Sequence, residues 1–256
     1  MTRIKVSAPV HPIDCKILLP SSKSISNRAL IINALGKGTY QPENLSECDD
    51  TQVMVRALQA GPDETIDIMA AGTAMRFLTA YLSVTPGKRI ITGTQRMQQR
   101  PIGTLAEALR TLGADISYTS KEGYPPLRIR GKKLQGGSLE TEASISSQYI
   151  SALLMVAPHL TEGLTLHLKG NIASRTYIEL TLDLMRKYGA TADWVNEQTI
   201  RVTPGIYEDI PITVEADWSA ASYWYELAAI AAHRGHEVDI TLSALSPDSR
   251  QGDRVV

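Results

Sequence analysis

Residues 20–36, PSSKSISNRALIINALG, decide how the rest of the chain is read. The stretch opens on polar residues, sets Lys23 and Arg28 five apart, and then runs apolar through Ala29, Leu30, Ile31, Ile32, Ala34 and Leu35 to Gly36. This pattern predicts a loop entering a buried helix, with Ser22 or Ser24 as N-cap and Gly36 as the stop. Two cations at a helix N-terminus oppose the positive end of the macrodipole, at a cost of about 0.3–1 kcal/mol each. An anion held between Lys23, Arg28 and the free backbone N–H groups reverses that sign.

Working outward, the same polar start and apolar run recur. AAGTAMRFLTAYL turns at Gly72 with Thr73 as the expected cap, SISSQYISALLMVA starts at Ser146, and VEADWSAASYWYELAAIAA starts at Asp217. With Ser22, these starts are separated by about 50, 74 and 71 residues. Second helices are expected near Asp50, capped by Asp49 or Asp50; near Pro101, with the proline in the first helical position; and near Thr176. Two short strands, carrying Ile4, Val6, Val10, Ile13, Ile17 and Leu18 and broken at Pro9 and Pro12, are expected over residues 1–19, and others at Ile66–Ile68, at Ile90–Ile91, in LTLHLKG and in VDITL. DISYTS with LRIRG, and ADWVNE with TIRVTP, read as β-hairpins. The fold class is therefore α/β (α+β), a βαβαββ-like unit used repeatedly. The fourth unit reaches SRQGDRVV without its second helix, so the chain is expected to be cut short.

Composition narrows the chemistry. The 256 residues are 43% hydrophobic, enough for a real core, but only 5% aromatic, with a single Phe. A net charge of −1 argues against a broad polyanion-binding surface, so no nucleic-acid partner is expected and cationic function must be local. Cys15 and Cys48 form no C-x-x-C, which points to a reducing, cytoplasmic compartment. No apolar run approaches the roughly 20 residues needed to cross a bilayer. The five histidines show no ligand spacing, His233 and His236 reading as surface residues, and no metal site is expected.

Polar residues gather at the helix starts: Lys23, Ser24 and Arg28; Gly72, Thr73 and Arg76; Arg100; Ser146, Ser147 and Gln148; Ser174, Arg175 and Tyr177. If the units point these ends inward, they form one concave anion site. Arg100 is the sharpest candidate, because the residue before a proline is held extended. Arg76, one turn into its helix, reads as a surface residue, Tyr177 as possible core, and Asp217 as a cap for its own helix.

Taken together, LPSSKSISNRAL, NLSECDDT, AGTAMRFLTA, RMQQRPIGTLAEALRTLGAD, SISSQYISALLM, SRTYIELTLDLM, VEADWSAASY and QGD make the chain resemble the N-terminal three-fifths of the 3-phosphoshikimate 1-carboxyvinyltransferase (EPSP synthase) family. The resemblance implies the enolpyruvyl transferase fold, two similar three-unit domains joined by two crossovers. Residues 15–213 would form one complete domain, and 1–14 with 214–256 a fragment of the second. It implies that Lys23, Ser24, Arg28, Ser146, Ser147, Gln148, Ser174 and Tyr177 bind shikimate 3-phosphate, while Lys23, Gly72, Arg100 and Gln148 face phosphoenolpyruvate, with Thr73 beside them. Glyphosate would take the second place. Lys23 would serve in catalysis as well as binding, the acid/base residues lying beyond Val256, so this chain alone is expected to be inactive. No cofactor is implied, and the full-length protein is expected to be monomeric. Where many members have Asn-Ala-Gly-Thr and Arg-Pro, this chain has Ala70-Ala71-Gly72-Thr73 and Arg76-Phe77, changes expected to bear on the phosphoenolpyruvate loop and on glyphosate sensitivity. Two alternatives stand beside this reading: a UDP-N-acetylglucosamine enolpyruvyl transferase, whose sugar-nucleotide site does not predict SISSQY, and a non-catalytic module that captures phosphorylated ligands.

Overall fold

The structure is a computed structural model that describes residues 12–36, 38–144, 146–172 and 174–255. The first of the two strands expected over residues 1–19, before Pro9, lies outside them. Two units share one order and one set of pairings. In the first of these, β2 (Thr65–Asp67), α3 (Gly72–Val84), β3 (Gly87–Thr92), α4 (Gly103–Thr111), β4 (Asp115–Tyr118) and β5 (Leu127–Gly131) build a sheet of order β2-β3-β5-β4. In the next, β6 (Gly137–Glu142), α5 (Ser147–Val156), β7 (Leu164–Lys169), α6 (Arg175–Lys187), β8 (Ala192–Asn196) and β9 (Thr199–Val202) give the order β6-β7-β9-β8. In each, the first pair in that order, β2–β3 or β6–β7, is parallel and the other two pairs are antiparallel.

The unit before these departs from expectation. Its helices, α1 (Lys23–Leu35) and α2 (Asp49–Leu58), are present. Among the described residues, however, they are closed by isolated bridges, Ser21 to Ala216 and Glu43 to Thr213, rather than by a sheet of their own. The strand at Ile66 belongs to the following unit, where Thr65–Asp67 runs parallel to Ile90–Thr92. A three-residue strand with one buried side chain needs a longer neighbour, and β3 is the one at hand.

The core is built around the first helix of each unit. Nearly every residue of α1, α3 and α5 is buried, and each of the three touches the other two. A helix that is apolar all round must be enclosed. The second helices α2, α4 and α6 each keep an exposed face. Hydroxyls inside the central helices bond back one turn: Ser26 donates to Ser22 O at 2.8 Å, Thr79 to Met75 O at 2.6 Å and Ser83 to Thr79 O at 2.8 Å. The sheets close on α3 tightly enough that a Cβ at Gly131 would lie 1.7 Å from Thr85 O and 2.5 Å from Leu82 O. Gly131→Ala is therefore expected to cost about 1–3 kcal/mol, read as a lower urea midpoint with unchanged slope.

Residues near both ends of the described chain come together apart from this body. β1 (Ile13–Leu18) runs parallel to β10 (Val238–Ser243) as a separate two-stranded sheet, so one strand spans the 14/15 position. α7 (Trp218–His233) buries only Ala221 and leaves Tyr223, Tyr225, Leu227 and Ile230 exposed. Two strand-like crossings connect this part to the body. Ser22 N donates to Glu215 O at 2.9 Å and Asp217 N to Pro20 O at 2.8 Å; Glu43 N donates to Ile212 O at 2.8 Å and Val214 N to Glu43 O at 3.0 Å. Among the described residues no helix is long and apolar enough to cross a membrane, and no group of three or more His, Cys, Asp or Glu is placed to hold a metal. Both cysteines are free thiols.

Candidate active site

The N-termini of α1, α3 and α5 open onto one polar cavity of about 390 Å³. α1 contributes Lys23, Ser24, Asn27 and Arg28, α3 contributes Thr73, and the start of α5 contributes Ser146, Ser147 and Gln148. Tyr177 of α6 and the start of α7, Asp217 and Ser219, complete the wall. None of α1, α3, α5 and α6 carries an acidic residue in its first turn. The positive helix ends therefore converge without acidic residues of their own to neutralise them. The one carboxylate in the wall, Asp217, is already engaged: Oδ1 accepts from Ser219 N at 2.8 Å and Ala220 N at 3.4 Å, and Oδ2 accepts from Lys23 N at 3.4 Å. It caps α7, as its position suggested, and also braces α1.

Arg28 is the central group. It is 3% exposed, and its guanidinium donates through Nε to Thr181 Oγ1 at 2.7 Å, through Nη1 to Ser24 O at 2.8 Å and through Nη2 to Ser151 Oγ at 3.1 Å. Phe77 and Tyr177 lie 5.3 and 5.9 Å from Cζ. All of these neighbours are neutral. Burial pushes the arginine pKa down to about 10, against an opposing pull from Tyr177. A cation kept this dry without a carboxylate is what an incoming anion repays.

A second cationic feature adjoins the cavity. Arg76, expected at the surface, is 6% exposed; its Nη1 donates to Gly72 O at 2.8 Å and it faces the Tyr149 ring at 5.7 Å. Burial lowers its pKa, Tyr149 opposes, and Arg100 adds to the lowering. Gly72 leaves room for both arginines, since a Cβ there would lie 2.5 Å from Arg100 Nη1 and 2.8 Å from Arg76 Nη1. Arg100 is extended, φ −90° and ψ 126°, as its place before a proline requires. Pro101 is not the first residue of α4, however. Gly123 O accepts from Ile102 N at 2.9 Å and Gly103 N at 3.1 Å, so the helix starts at Gly103. Tyr149 Oη donates to Pro101 O at 2.7 Å and ties that loop to α5.

The caps follow geometry more than composition. Ser22 sits at the N-cap of α1, but its hydroxyl donates to Gln251 Oε1 at 2.9 Å and caps nothing. Ala71 precedes α3 and Cys48 precedes α2, so Thr73, Asp49 and Asp50 lie inside their helices. Ser146 does cap α5, accepting from Gln148 N at 3.3 Å, and Gln148 Nε2 reaches Thr73 Oγ1 at 3.2 Å, joining two units across the cavity. Tyr177 is 36% exposed at the wall rather than core. Gly72, Arg100 and Ser174 stand outside the cavity lining; Ser174 is exposed, in the left-handed region at φ 58°. Residues not singled out in the sequence are Asn27, fully buried with no partner for Nδ2 among the described residues, and Thr181 and Ser151, which hold Arg28; Phe77, marked in the sequence for the phosphoenolpyruvate loop, lies against Arg28 as well. Asn27 lies three residues after Ser24, on the helix face that the Ser24–Arg28 spacing already marks.

Repeated βαβαββ units with first-helix N-termini gathered at one cavity define a protein of the enolpyruvyl transferase fold. The solved EPSP synthase of Acinetobacter baumannii superposes with a TM-score of 0.76 at 24% identity, over 91% of this chain and 56% of that one. The model of the family EPSP synthase (3-phosphoshikimate 1-carboxyvinyltransferase) matches residues 8–61 and 59–256, and the chain belongs to that family. Among its relatives, a 3-phosphoshikimate 1-carboxyvinyltransferase of Bacteroides fragilis is 59% identical over 251 residues, 98% of this chain and 60% of its own length. One from Aliivibrio fischeri is 40% identical over 272 residues, 96% of this chain and 63% of its own length. The chain thus spans about three-fifths of the length of these relatives.

Proposed function

We propose that the chain carries the shikimate 3-phosphate-binding half of an enzyme that transfers the enolpyruvyl group of phosphoenolpyruvate to the 5-hydroxyl of shikimate 3-phosphate. The observation that carries this reading is Arg28, a buried cation with only neutral partners at the meeting point of helix N-termini that lack acidic residues. Lys23 and Arg28 supply charge for the 3-phosphate. Ser24, Ser146, Ser147, Gln148, Ser174 and Tyr177 supply hydrogen bonds to phosphate and ring hydroxyls. Phosphoenolpyruvate takes the side marked by Lys23, Gly72, Thr73, Arg100 and Gln148, where glyphosate competes.

In the reaction, the 5-hydroxyl gives up its proton to a base as its oxygen bonds to C2 of phosphoenolpyruvate, and the C2–C3 π pair takes a proton at C3. The tetrahedral adduct then loses phosphate and a C3 proton, restoring the vinyl group. The fixed cations and helix ends offset charge that builds on the phosphate and carboxylate. The body carrying α1–α6, which begins after β1 rather than at residue 15, acts as the complete domain, and the β1–β10 part as a portion of the second, with a hinge at the crossings. The cytoplasm, with a monomeric full-length protein, is the setting that suits two free thiols and a soluble anionic substrate.

Two results test the reading. In calorimetry, shikimate 3-phosphate is expected to bind and UDP-N-acetylglucosamine to give no heat of binding; the reverse order would favour the sugar-nucleotide alternative. In a protein of the relatives' full length, Arg100→Ala is expected to raise the phosphoenolpyruvate KM roughly ten- to hundredfold, the worth of one charge-assisted contact, and to change the shikimate 3-phosphate KM far less. Unchanged constants for both substrates would make Arg100 a surface residue only.

A further inference from the structure

The amide of Gln251 lies at the junction of three chain segments and is 7% exposed. Its Oε1 accepts from Ser22 Oγ at 2.9 Å and from Trp218 N at 3.2 Å. Its Nε2 donates to Glu215 Oε1 at 2.9 Å and to Ala216 O at 2.8 Å, with Ser249 Oγ further off at 3.3 Å. Both acceptor positions and both N–H groups are thus used, the full capacity of a side-chain amide. Ser249 Oγ in turn accepts from Gln251 N at 3.1 Å, holding the backbone that presents the amide.

The bonded groups are the N-cap of α1, the first residue of α7 and the crossing strand between the two parts of the molecule. Next to them, Ser22 N and Asp217 N make the pair of backbone bonds that closes that crossing. Lys23 follows Ser22 directly, and Ser219 follows Trp218, and both line the cavity. The buried amide therefore braces the first turn of α1 against the first turn of α7, beside the backbone bonds of the crossing and the bond from Lys23 N to Asp217 Oδ2.

We propose that Gln251 is a positioning residue for the anion cavity: it holds the start of α1, and Lys23 with it, in register against the start of α7. It touches no ligand itself. The proposal rests on the cavity being a phosphoester site. A polar residue that only stabilised the fold would not act selectively through Lys23, and the test uses that difference.

Shikimate 3-phosphate is titrated into the 256-residue chain carrying Gln251→Leu, Ser22→Ala, Lys23→Gln, or each of the first two combined with Lys23→Gln. Urea midpoints are recorded alongside. Gln251→Leu is expected to weaken binding about tenfold, the worth of one lost hydrogen-bonded register. Ser22→Ala, which cuts only the bond to α1 and keeps the fold if Gln251→Leu does not, is expected to weaken it several-fold. In the Lys23→Gln background both losses are expected to shrink to nearly nothing, a coupling that neighbouring groups show and independent sites do not. Unchanged affinity in the folded variants, or equal losses with and without Lys23, would overturn the proposal. Amide exchange gives a ligand-free check: Ser22 N–H and Asp217 N–H are expected to exchange faster together in either variant, and unaltered exchange at both would also overturn it. If the unsubstituted chain fails to bind while these amides respond as expected, the phosphoester reading has failed and the mechanical link stands.

Discussion

Arg28→Met is expected to reduce affinity for shikimate 3-phosphate more than about a hundredfold, because two charge-assisted contacts to a phosphate are lost at about 1.5–3 kcal/mol each. The fold should tolerate the change. Arg28 is buried without a carboxylate, so its charge is a cost to the unliganded protein, and an apolar side chain of similar shape removes that cost. The hydroxyls left behind stay partnered: Ser151 Oγ and Thr181 Oγ1 are 2.8 Å apart, and Thr181 Oγ1 donates to Tyr177 O at 2.8 Å. Calorimetry and a urea midpoint on the same samples decide it. Binding should collapse while the midpoint holds or rises, and a variant that binds normally would remove Arg28 from the site.

The largest expected loss of stability is at Phe77. Its side chain is fully buried in α3, and its ring lies 5.3 Å from the Arg28 guanidinium. Truncation to alanine in a close-packed core costs about 3–5 kcal/mol, and the loss of the ring–cation contact adds about 0.5–2 kcal/mol. Phe77→Ala should lower the urea midpoint by that amount and weaken ligand binding several-fold, since Arg28 loses one of its walls. A change below about 1 kcal/mol would mean that the pocket around Phe77 relaxes freely and does not hold Arg28.

Much of this arrangement is legible in the sequence because the three central helices announce themselves. Each is an apolar run that starts on small polar residues, and enclosure of such a run leaves its N-terminus as the exposed polar end. Both β-hairpins follow from their alternation. What escaped has physical reasons. Arg76 looked like a surface residue, yet it is the one charged side chain in GTAMRFLTAYLSV, a helix with no polar face to expose it on, so enclosure of the helix buries it. β6, GSLETE, carries only one buried residue, Leu139, because it is an edge strand with one apolar contact to make. The starts of α1, α3 and α4 do not follow side-chain preference. There, donors and hydroxyls find partners far along the chain, Gln251 for Ser22 and Gly123 for Ile102 and Gly103, and local sequence does not encode those distances. The same holds for Thr181 and Ser151, ordinary helix residues until the packing of α1 against α5 and α6 places them on Arg28.

On the function proposed above, the phosphate-binding groups of α1, α5 and α6 all lie on one body. The most direct measurement is a titration of the 256-residue chain with shikimate 3-phosphate, followed by heat or by chemical shift at low and at high ionic strength, with turnover assayed in the presence of phosphoenolpyruvate. Saturable binding that weakens as salt screens the open cavity is expected, with shift changes centred on Lys23, Ser24, Arg28 and Gln148 and no turnover. Absence of saturable binding at millimolar ligand in low salt, by a chain that remains folded, would contradict it.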